Sequence, residues 1–126
     1  MSTDRRRDRG AFGEQIAAEH LRQRGYEIVA RNARTRRGEL DLVAANDRAL
    51  VFCEVKTRVA GGLSGPVGPL DAIGPAKRRR LRALACEWLA TTPARPTRDQ
   101  VRFDAIGVTL TPTGDLLALE HLEAAF

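Results

Sequence analysis

The chain has 126 residues, of which 43% are hydrophobic and 29% charged, so it is long enough for one domain with a single modest core. No apolar run approaches the roughly 20 residues that a membrane-spanning helix needs, and we therefore expect no membrane partner. The net charge of +5 and the pI near 10.2 favour an anionic partner such as a nucleic acid.

The N-terminal segment and the cysteines bear on the location of the protein. Residues 1–10 are rich in arginine and precede no apolar stretch, so a secretory signal is not expected. We expect them to form a mobile basic N-terminus, followed by a single domain of residues 11–126. Cys53 and Cys86 form no C-x-x-C pattern and are expected to be reduced, which indicates a cytoplasmic protein.

The first predicted helix follows the basic segment. Its apolar residues recur at helical spacing, namely Phe12, Ile16, Ala17 and Leu21. Gly25 is a natural C-cap for such a helix. Glu14 lies seven residues before Leu21, which is close to two full turns, so it lies along the apolar stripe rather than on the solvent face.

Strands and loops follow this helix. Residues 26–30 are predicted to form a strand, and the arginine-rich residues 31–37 a connection. A β-hairpin is predicted from residue 39 to about residue 59. The glycine- and proline-rich residues 61–69 are expected to form a flexible loop of the kind that closes over substrates.

The second half of the chain predicts one helix and two strands. Pro75 suits the first turn of a helix. Apolar residues again follow helical spacing, at Leu81, Leu84, Ala85, Trp88 and Leu89. Strands are predicted at residues 101–108 and residues 116–122. The predicted order of elements is therefore α-β-β-β-α-β-β, in an α/β domain.

Two short acidic patterns on the predicted hairpin are the main functional signal. They are Gly38-Glu39-Leu40-Asp41 and Glu54-Val55-Lys56. Residues i and i+2 of a strand share a face, so three acids and one lysine are expected on one face of the hairpin. The other face is expected to carry the apolar residues Leu40, Leu42, Ala44, Val51, Cys53 and Val55. Like charges that face each other across strands are destabilising, which favours a functional reason for the cluster.

The sequence leaves two registers open for this hairpin. With a turn at Asn46-Asp47, Glu39 lies opposite Glu54 and Asp41 is its diagonal neighbour. With a turn at Asp47-Arg48, Asp41 itself lies opposite Glu54. Both registers keep the acids together, whereas a slip of one residue would separate the charges of the two strands.

The acids predict a site for a hard metal ion. Mg²⁺ (or Mn²⁺) takes one or two protein carboxylates, and Asp41 and Glu54 are placed to share such an ion. The backbone carbonyl of Val55 is a third candidate ligand. Lys56 is expected to stabilise negative charge that develops in the transition state. Glu14 is expected to hold a second metal ion or a water molecule.

Basic residues supply candidate contacts to phosphate. The second helix opens with Lys77-Arg78-Arg79-Arg80, and cations there oppose the helix dipole unless an anion docks beside them. The simpler alternative is a solvated surface cluster of little energetic consequence. The expected nucleic-acid-binding residues are Arg34, Arg36, Arg37, Arg58, Lys77, Arg78, Arg79 and Arg80.

Three further polar residues are given structural roles. Asp104, on the strand at residues 101–108, is expected to pair with an arginine rather than bind a metal ion. His20 and His121 lack the spacing of metal ligands. Both are expected to be structural or surface residues.

Residues 12–108 resemble a known family. The chain is similar to the YraN family of small bacterial proteins, within the PD-(D/E)xK nuclease superfamily that has the restriction-endonuclease-like fold and includes archaeal Holliday-junction resolvases. The resemblance rests on Gly13-Glu14, Gly25-Tyr26, Arg31-Asn32, Gly38-Glu39-Leu40-Asp41-Leu42-Val43, Val51-Phe52-Cys53-Glu54-Val55-Lys56-Thr57-Arg58 and Arg102-Phe103-Asp104. It implies a mixed central sheet flanked by helices. It also implies a catalytic core of Asp41, Glu54 and Lys56, with Glu14 as an accessory residue and Glu39 as a further candidate.

Composition, motif and resemblance together predict a Mg²⁺-dependent nuclease that hydrolyses DNA, including branched recombination or repair intermediates. The similarity to resolvases, which work as dimers because two strands must be cut, implies a homodimer. The alternative is a non-catalytic nucleic-acid-binding module that retains the nuclease fold. A third interpretation is a subunit whose basic face docks an acidic protein.

Overall fold

A five-stranded mixed sheet with one helix on each face forms the centre of the protein. The computed structural model describes residues 2–61 and 73–126, with side chains from residue 7 onward. The elements in chain order are α1 (Ser2–Gln23), β1 (Glu27–Thr35), β2 (Gly38–Ala45), β3 (Ala49–Val59), α2 (Pro75–Thr91), β4 (Gln100–Leu110) and β5 (Leu116–Leu122). The order α-β-β-β-α-β-β confirms the predicted α/β class and its restriction-endonuclease-like arrangement. Neither helix of the described residues is both long and apolar enough to span a membrane.

The strands lie in the spatial order β1-β2-β3-β4-β5. Only β3 and β4 pair in parallel, and the other neighbours are antiparallel. A parallel pair needs a long crossover, which the chain makes through α2. Side chains alternate along β2 and β3, so both faces of the sheet are apolar. Leu42, Ala44, Val51 and Cys53 pack with α1, whereas Val43, Ala45, Leu50 and Phe52 pack with α2.

The register between β2 and β3 follows the second of the two predicted alternatives. Leu42 pairs with Cys53, and the same register continues to the turn. The Asn46 N–H donates to the carbonyl of Ala49 at 3.1 Å, which makes Asp47-Arg48 the two-residue turn. The Asn46 side chain fixes it further, because Oδ1 accepts the N–H groups of both following residues at 2.9 and 2.8 Å. Asp41 therefore lies opposite Glu54.

One residue of the hairpin departs from the predicted alternation. Leu40 was expected to share a face with Leu42, but it packs in the cluster around α2 instead. The backbone pairs between β2 and β3 end at Leu42, so the start of β2 is free to twist relative to β3. Leu40 thus packs with residues of α2, and Asp41 lines a small cavity beside it.

Several elements are longer than the sequence predicted. The first helix begins at Ser2, so residues 2–10, expected to be a mobile segment, lie in its first turns. The first strand continues to Thr35, which corrects the prediction of an arginine-rich connection at residues 31–37. It continues because residues 30–35 pair with β2 as far as Gly38. The predicted glycine- and proline-rich loop falls almost entirely outside the described residues.

Asp104 anchors the far side of the sheet and is fully buried. Arg102 binds it through two nitrogens at 2.8 and 2.9 Å, and His121 through Nε2 at 2.8 Å. Burial raises the pKa of Asp104, but the hydrogen bonds from His121 and Arg102 outweigh it, and the pKa falls below its ordinary value. The expected pairing with an arginine is confirmed. His121 also contacts His20 at 3.0 Å, so both histidines belong to this structural network.

Candidate active site

Asp41 and Glu54 face each other where β2 and β3 separate. The last backbone pair of this ladder joins Leu42 to Cys53. One residue further on, a side chain replaces the backbone carbonyl as hydrogen-bond acceptor: Asp41 Oδ2 accepts the N–H of Val55 at 2.9 Å. This bond holds Asp41 beside the strand that carries Glu54, so the two predicted metal ligands are brought together.

Two further acids reach the same place through Asn32. With its amide nitrogen facing the acids, Asn32 donates to Glu39 Oε1 at 2.9 Å and to Glu14 Oε1 at 3.0 Å. Its backbone φ is 50°, in the left-handed region that asparagine tolerates better than most residues. The sequence prediction did not include Asn32 in the site. The side-chain chemistry of Asn32 could have indicated this role, because a neutral amide can donate hydrogen bonds to two carboxylates without adding charge.

Close packing between α1 and β3 sets the position of Glu14. Gly13 lies against Thr57, and a Cβ at Gly13 would come within 1.8 Å of Thr57 Oγ1 and 2.9 Å of Thr57 Cβ. Only glycine permits this approach of helix to strand. The next residue along the helix is Glu14, which is thereby brought to the end of β3 where Lys56 and Thr57 lie.

The clustered acids change one another's ionisation. Burial and then the charge of Glu54 raise the pKa of Asp41 to about 8, while the N–H of Val55 acts in the opposite direction. Burial and then the charge of Glu39 raise the pKa of Glu14. Asp41 therefore holds a proton at neutral pH in the metal-free protein, and its ionisation costs free energy.

An apolar wall accounts for the burial of Asp41. A cavity of about 10 Å³, close to the room that one water molecule needs, lies against Asp41 and Glu54. Its other lining residues are apolar, namely Leu40, Phe52, Cys53, Leu81, Phe103 and Phe126. These side chains keep bulk water from one side of the carboxylates.

Both lysines of the chain lie at this site. Lys77, at the start of α2, places Nζ at 2.9 Å from Glu54 Oε1. The sequence predicted Lys77 as a phosphate-binding residue, and its ion pair with Glu54 was not foreseen. Lys56 is exposed and lines a groove of about 350 Å³ with Glu14 and Arg58. The Lys56 side chain is therefore accessible from this groove.

Three of the predicted phosphate-binding arginines lie together at the β1–β2 turn. Arg34 pairs with Glu39 across the hairpin at 3.6 Å. Arg36 and Arg37 both lie near Glu87 of α2, at 3.8 and 3.9 Å. Their side chains are 88, 95 and 69% exposed, and such exposed ion pairs contribute little. A phosphate can therefore compete for these arginines at small cost.

The remaining predicted arginines have more varied surroundings. Arg58 donates from Nε to Thr109 Oγ1 at 3.3 Å. Arg78 donates from Nε to the carbonyl of Ile73 at 3.0 Å, which braces the chain just before α2. Arg79 and Arg80 are exposed. In the cluster at the start of α2, Arg78 therefore braces the chain and Lys77 pairs with Glu54, and only Arg79 and Arg80 are exposed.

The donor atoms of this site fit a hard cation. In the two described stretches, 2–61 and 73–126, no group of three or more His, Cys, Asp or Glu side chains is arranged around one point for a metal ion. Asp41 and Glu54 instead offer two opposed carboxylates, with the carbonyl of Val55 beside them. One or two carboxylates, completed by water and substrate oxygens, is the usual protein environment of Mg²⁺. All of these donors are oxygen atoms, which favours Mg²⁺ or Mn²⁺ over Zn²⁺.

The raised pKa of Asp41 predicts a pH dependence of stability. Between its ordinary value of 3.8 and about 8, the folded protein holds a proton that the unfolded chain has lost, so stability falls as pH rises through this window. Asp41→Asn cannot ionise and should avoid this loss. In EDTA, its melting temperature should rise relative to wild type between about pH 4 and pH 8. Asp47→Asn, at the exposed turn of the same hairpin, should follow wild type throughout. A constant difference between Asp41→Asn and wild type would contradict this assignment.

Comparison with known proteins identifies the family. The model of "Uncharacterised protein family UPF0102" matches residues 13–108. A UPF0102 protein of Nocardia farcinica is 45% identical over 93% of this chain and 87% of its own length. One of Parafrankia sp. is 46% identical over 93% of this chain and 94% of its own. A UPF0102 protein of Frankia alni is 45% identical over 93% of this chain and 92% of its own length. The chain belongs to the UPF0102 family, which is the YraN family that its motifs resemble.

Proposed function

We propose that the protein is a divalent-metal-dependent nuclease that hydrolyses phosphodiester bonds of DNA, with branched recombination or repair intermediates among its substrates. The observation that carries this proposal is the opposition of Asp41 and Glu54 where β2 and β3 separate, with Lys56 exposed beside them. Opposed carboxylates destabilise a hairpin. A cation that binds both of them offsets this cost and gives the cluster a function.

Each residue of the cluster has a proposed role. Asp41, Glu54 and the carbonyl of Val55 would hold Mg²⁺ or Mn²⁺, and the bound ion would supply Lewis-acid chemistry at the phosphorus centre. Lys56 lies two residues from Glu54 on an exposed part of β3. Its ammonium donates hydrogen bonds toward the phosphoryl oxygens as they gain charge in the transition state.

Glu14 acts from the other side of the groove. It lines the same groove as Lys56, and Asn32 ties it to Glu39. Its raised pKa makes it a better proton acceptor than an ordinary glutamate. We propose that Glu14 orients a water molecule or holds a second metal ion. Glu39 keeps Asn32 in place.

The charge distribution supports a nucleic-acid substrate. The exposed arginines at residues 34, 36 and 37 lie beyond one end of the carboxylate cluster, on the hairpin that leads into it. Arg58 lines the groove beside Lys56. A DNA strand whose phosphates contact both these arginines and the groove at Arg58 would run alongside the carboxylates of Asp41 and Glu54. A duplex or branched substrate needs two such sites, which we assign to a homodimer.

Cleavage of a panel of labelled DNA substrates in Mn²⁺ tests the catalytic assignment. Lys56→Ala should lower the rate by about 10²–10³-fold, as expected for loss of one transition-state donor. Glu54→Ala should abolish cleavage, because it removes a metal ligand. Both variants should still bind DNA. Asp47→Asn, a charge change at the far end of the same hairpin, should cut at the wild-type rate.

Two outcomes would contradict the proposal in different ways. Lys56→Ala and Glu54→Ala variants that cut as fast as wild type would show that the active site lies elsewhere. A wild-type protein that binds DNA but cuts no substrate of the panel would favour the non-catalytic binding module.

The salt dependence of DNA binding tests the arginine contacts. Each phosphate contact contributes about −0.9 to the slope of log K against log salt on duplex DNA. The double variant Arg36→Ala, Arg37→Ala should therefore make the slope shallower by roughly 2. Arg22→Ala, Arg24→Ala removes the same charge from the end of α1 and should leave the slope unchanged. Equal slopes for both double variants would remove the β1–β2 turn from the interface.

A further inference from the structure

One of the two lysines of this chain pairs with Glu54 through space, and the other follows Glu54 by two residues along β3. Arginine supplies nineteen of the twenty-one cationic side chains, and only Lys56 and Lys77 are lysine. Lys56 follows Glu54 by two residues on the same strand. Lys77 reaches Glu54 from α2, with Nζ at 2.9 Å from Oε1. Lysine presents a compact charge on a flexible stem, which makes it easier to displace from a carboxylate than a forked guanidinium.

The Lys77–Glu54 pair differs from the other cation–carboxylate contacts around the site. The side chains of Lys77 and Glu54 are 29 and 14% exposed, whereas Arg34, Arg36 and Arg37 are at least 69% exposed. Loss of Lys77 would leave a carboxylate of low exposure without this counter-ion, next to Asp41. The pair therefore sets the charge balance of the metal-free site.

The same carboxylate is a proposed metal ligand, so Lys77 and a divalent cation compete for it. A divalent cation bound to Glu54 would come within a few ångströms of the ammonium and repel it. The displaced lysine lies in the first turn of α2. A released ammonium there can donate hydrogen bonds to phosphate oxygens.

We propose that Lys77 is a positioning residue that couples metal binding to substrate binding. In the metal-free protein Lys77 holds Glu54 and balances its charge. When a divalent cation takes Glu54, Lys77 is released from it and binds a phosphate of the substrate. This inference rests on the proposed nuclease function and assigns a role to Lys77, which lies outside the proposed catalytic core of Asp41, Glu54 and Lys56.

Calorimetric titration of Mn²⁺ into metal-free protein tests the competition. Lys77→Met keeps most of the length of the side chain but removes its charge, and it should bind Mn²⁺ about tenfold more tightly than wild type. Lys77→Arg keeps a cation and should bind Mn²⁺ no more tightly than wild type does. Arg79→Met removes an exposed charge from the same helical turn and should leave the affinity unchanged. Circular dichroism of each variant establishes that it is folded.

The effect of Mn²⁺ on DNA affinity tests whether the released Lys77 binds a phosphate. Fluorescence anisotropy with a labelled oligonucleotide is measured with EDTA and with Mn²⁺, in a Lys56→Ala background that slows cleavage about 10²–10³-fold. Mn²⁺ should increase DNA affinity when Lys77 is present. At saturating Mn²⁺, the increase should be several-fold smaller with Lys77→Met and retained with Lys77→Arg. A purely structural ion pair would change the melting temperature and leave this Mn²⁺ effect intact.

The outcomes separate this inference from the proposed function. If wild type binds Mn²⁺ and cuts DNA while Lys77→Met matches its Mn²⁺ affinity, the role of Lys77 is overturned and the nuclease proposal stands. A tenfold gain that also appears in Arg79→Met would overturn the role as well, because the effect would then be one of net charge. If wild type binds no Mn²⁺, both proposals fail.

Discussion

The structure depends on one constraint, the pairing of Asp41 opposite Glu54 at the point where β2 leaves β3. The Asp47-Arg48 turn sets this register, and Asn46 fixes the turn with two backbone hydrogen bonds. Beyond Leu42, a carboxylate accepts the bond that a strand carbonyl would otherwise take. A register shifted by one residue would separate the acids and send apolar side chains to the wrong face.

The rest of the fold brings groups to this pair from both faces of the sheet. Close contact between Gly13 and Thr57 places Glu14 on one side, and the crossover through α2 places Lys77 on the other. The parallel pairing of β3 with β4 extends over the whole of β3, so the strand that carries Glu54 and Lys56 is held rigidly. Functional groups on rigid strands keep their geometry better than groups on loops.

The sequence predicted the parts of this site that depend on local periodicity. Alternation along the hairpin grouped Glu39, Asp41, Glu54 and Lys56, and helical spacing placed Glu14 on the inner stripe. It left the register open, because two adjacent turns were equally compatible with the pattern. It missed the contacts of Asn32 and the ion pair of Lys77, since both join residues far apart in the chain. The arginines of β1 were assigned to a connection because residues 31–37 are almost all polar and show no apolar alternation, although β1 pairs with β2 across a two-residue turn.

The central claim is that Asp41 and Glu54 repel each other in the absence of a metal ion and bind one together when it is present. A double-mutant cycle of unfolding free energies, with Asp41→Asn, Glu54→Gln and both, tests it at about pH 9, above the raised pKa of Asp41. In EDTA the coupling between the two residues should be unfavourable, and in excess Mg²⁺ it should become favourable. A favourable coupling in EDTA that Mg²⁺ leaves unchanged would show that the two acids are structural and would contradict the account.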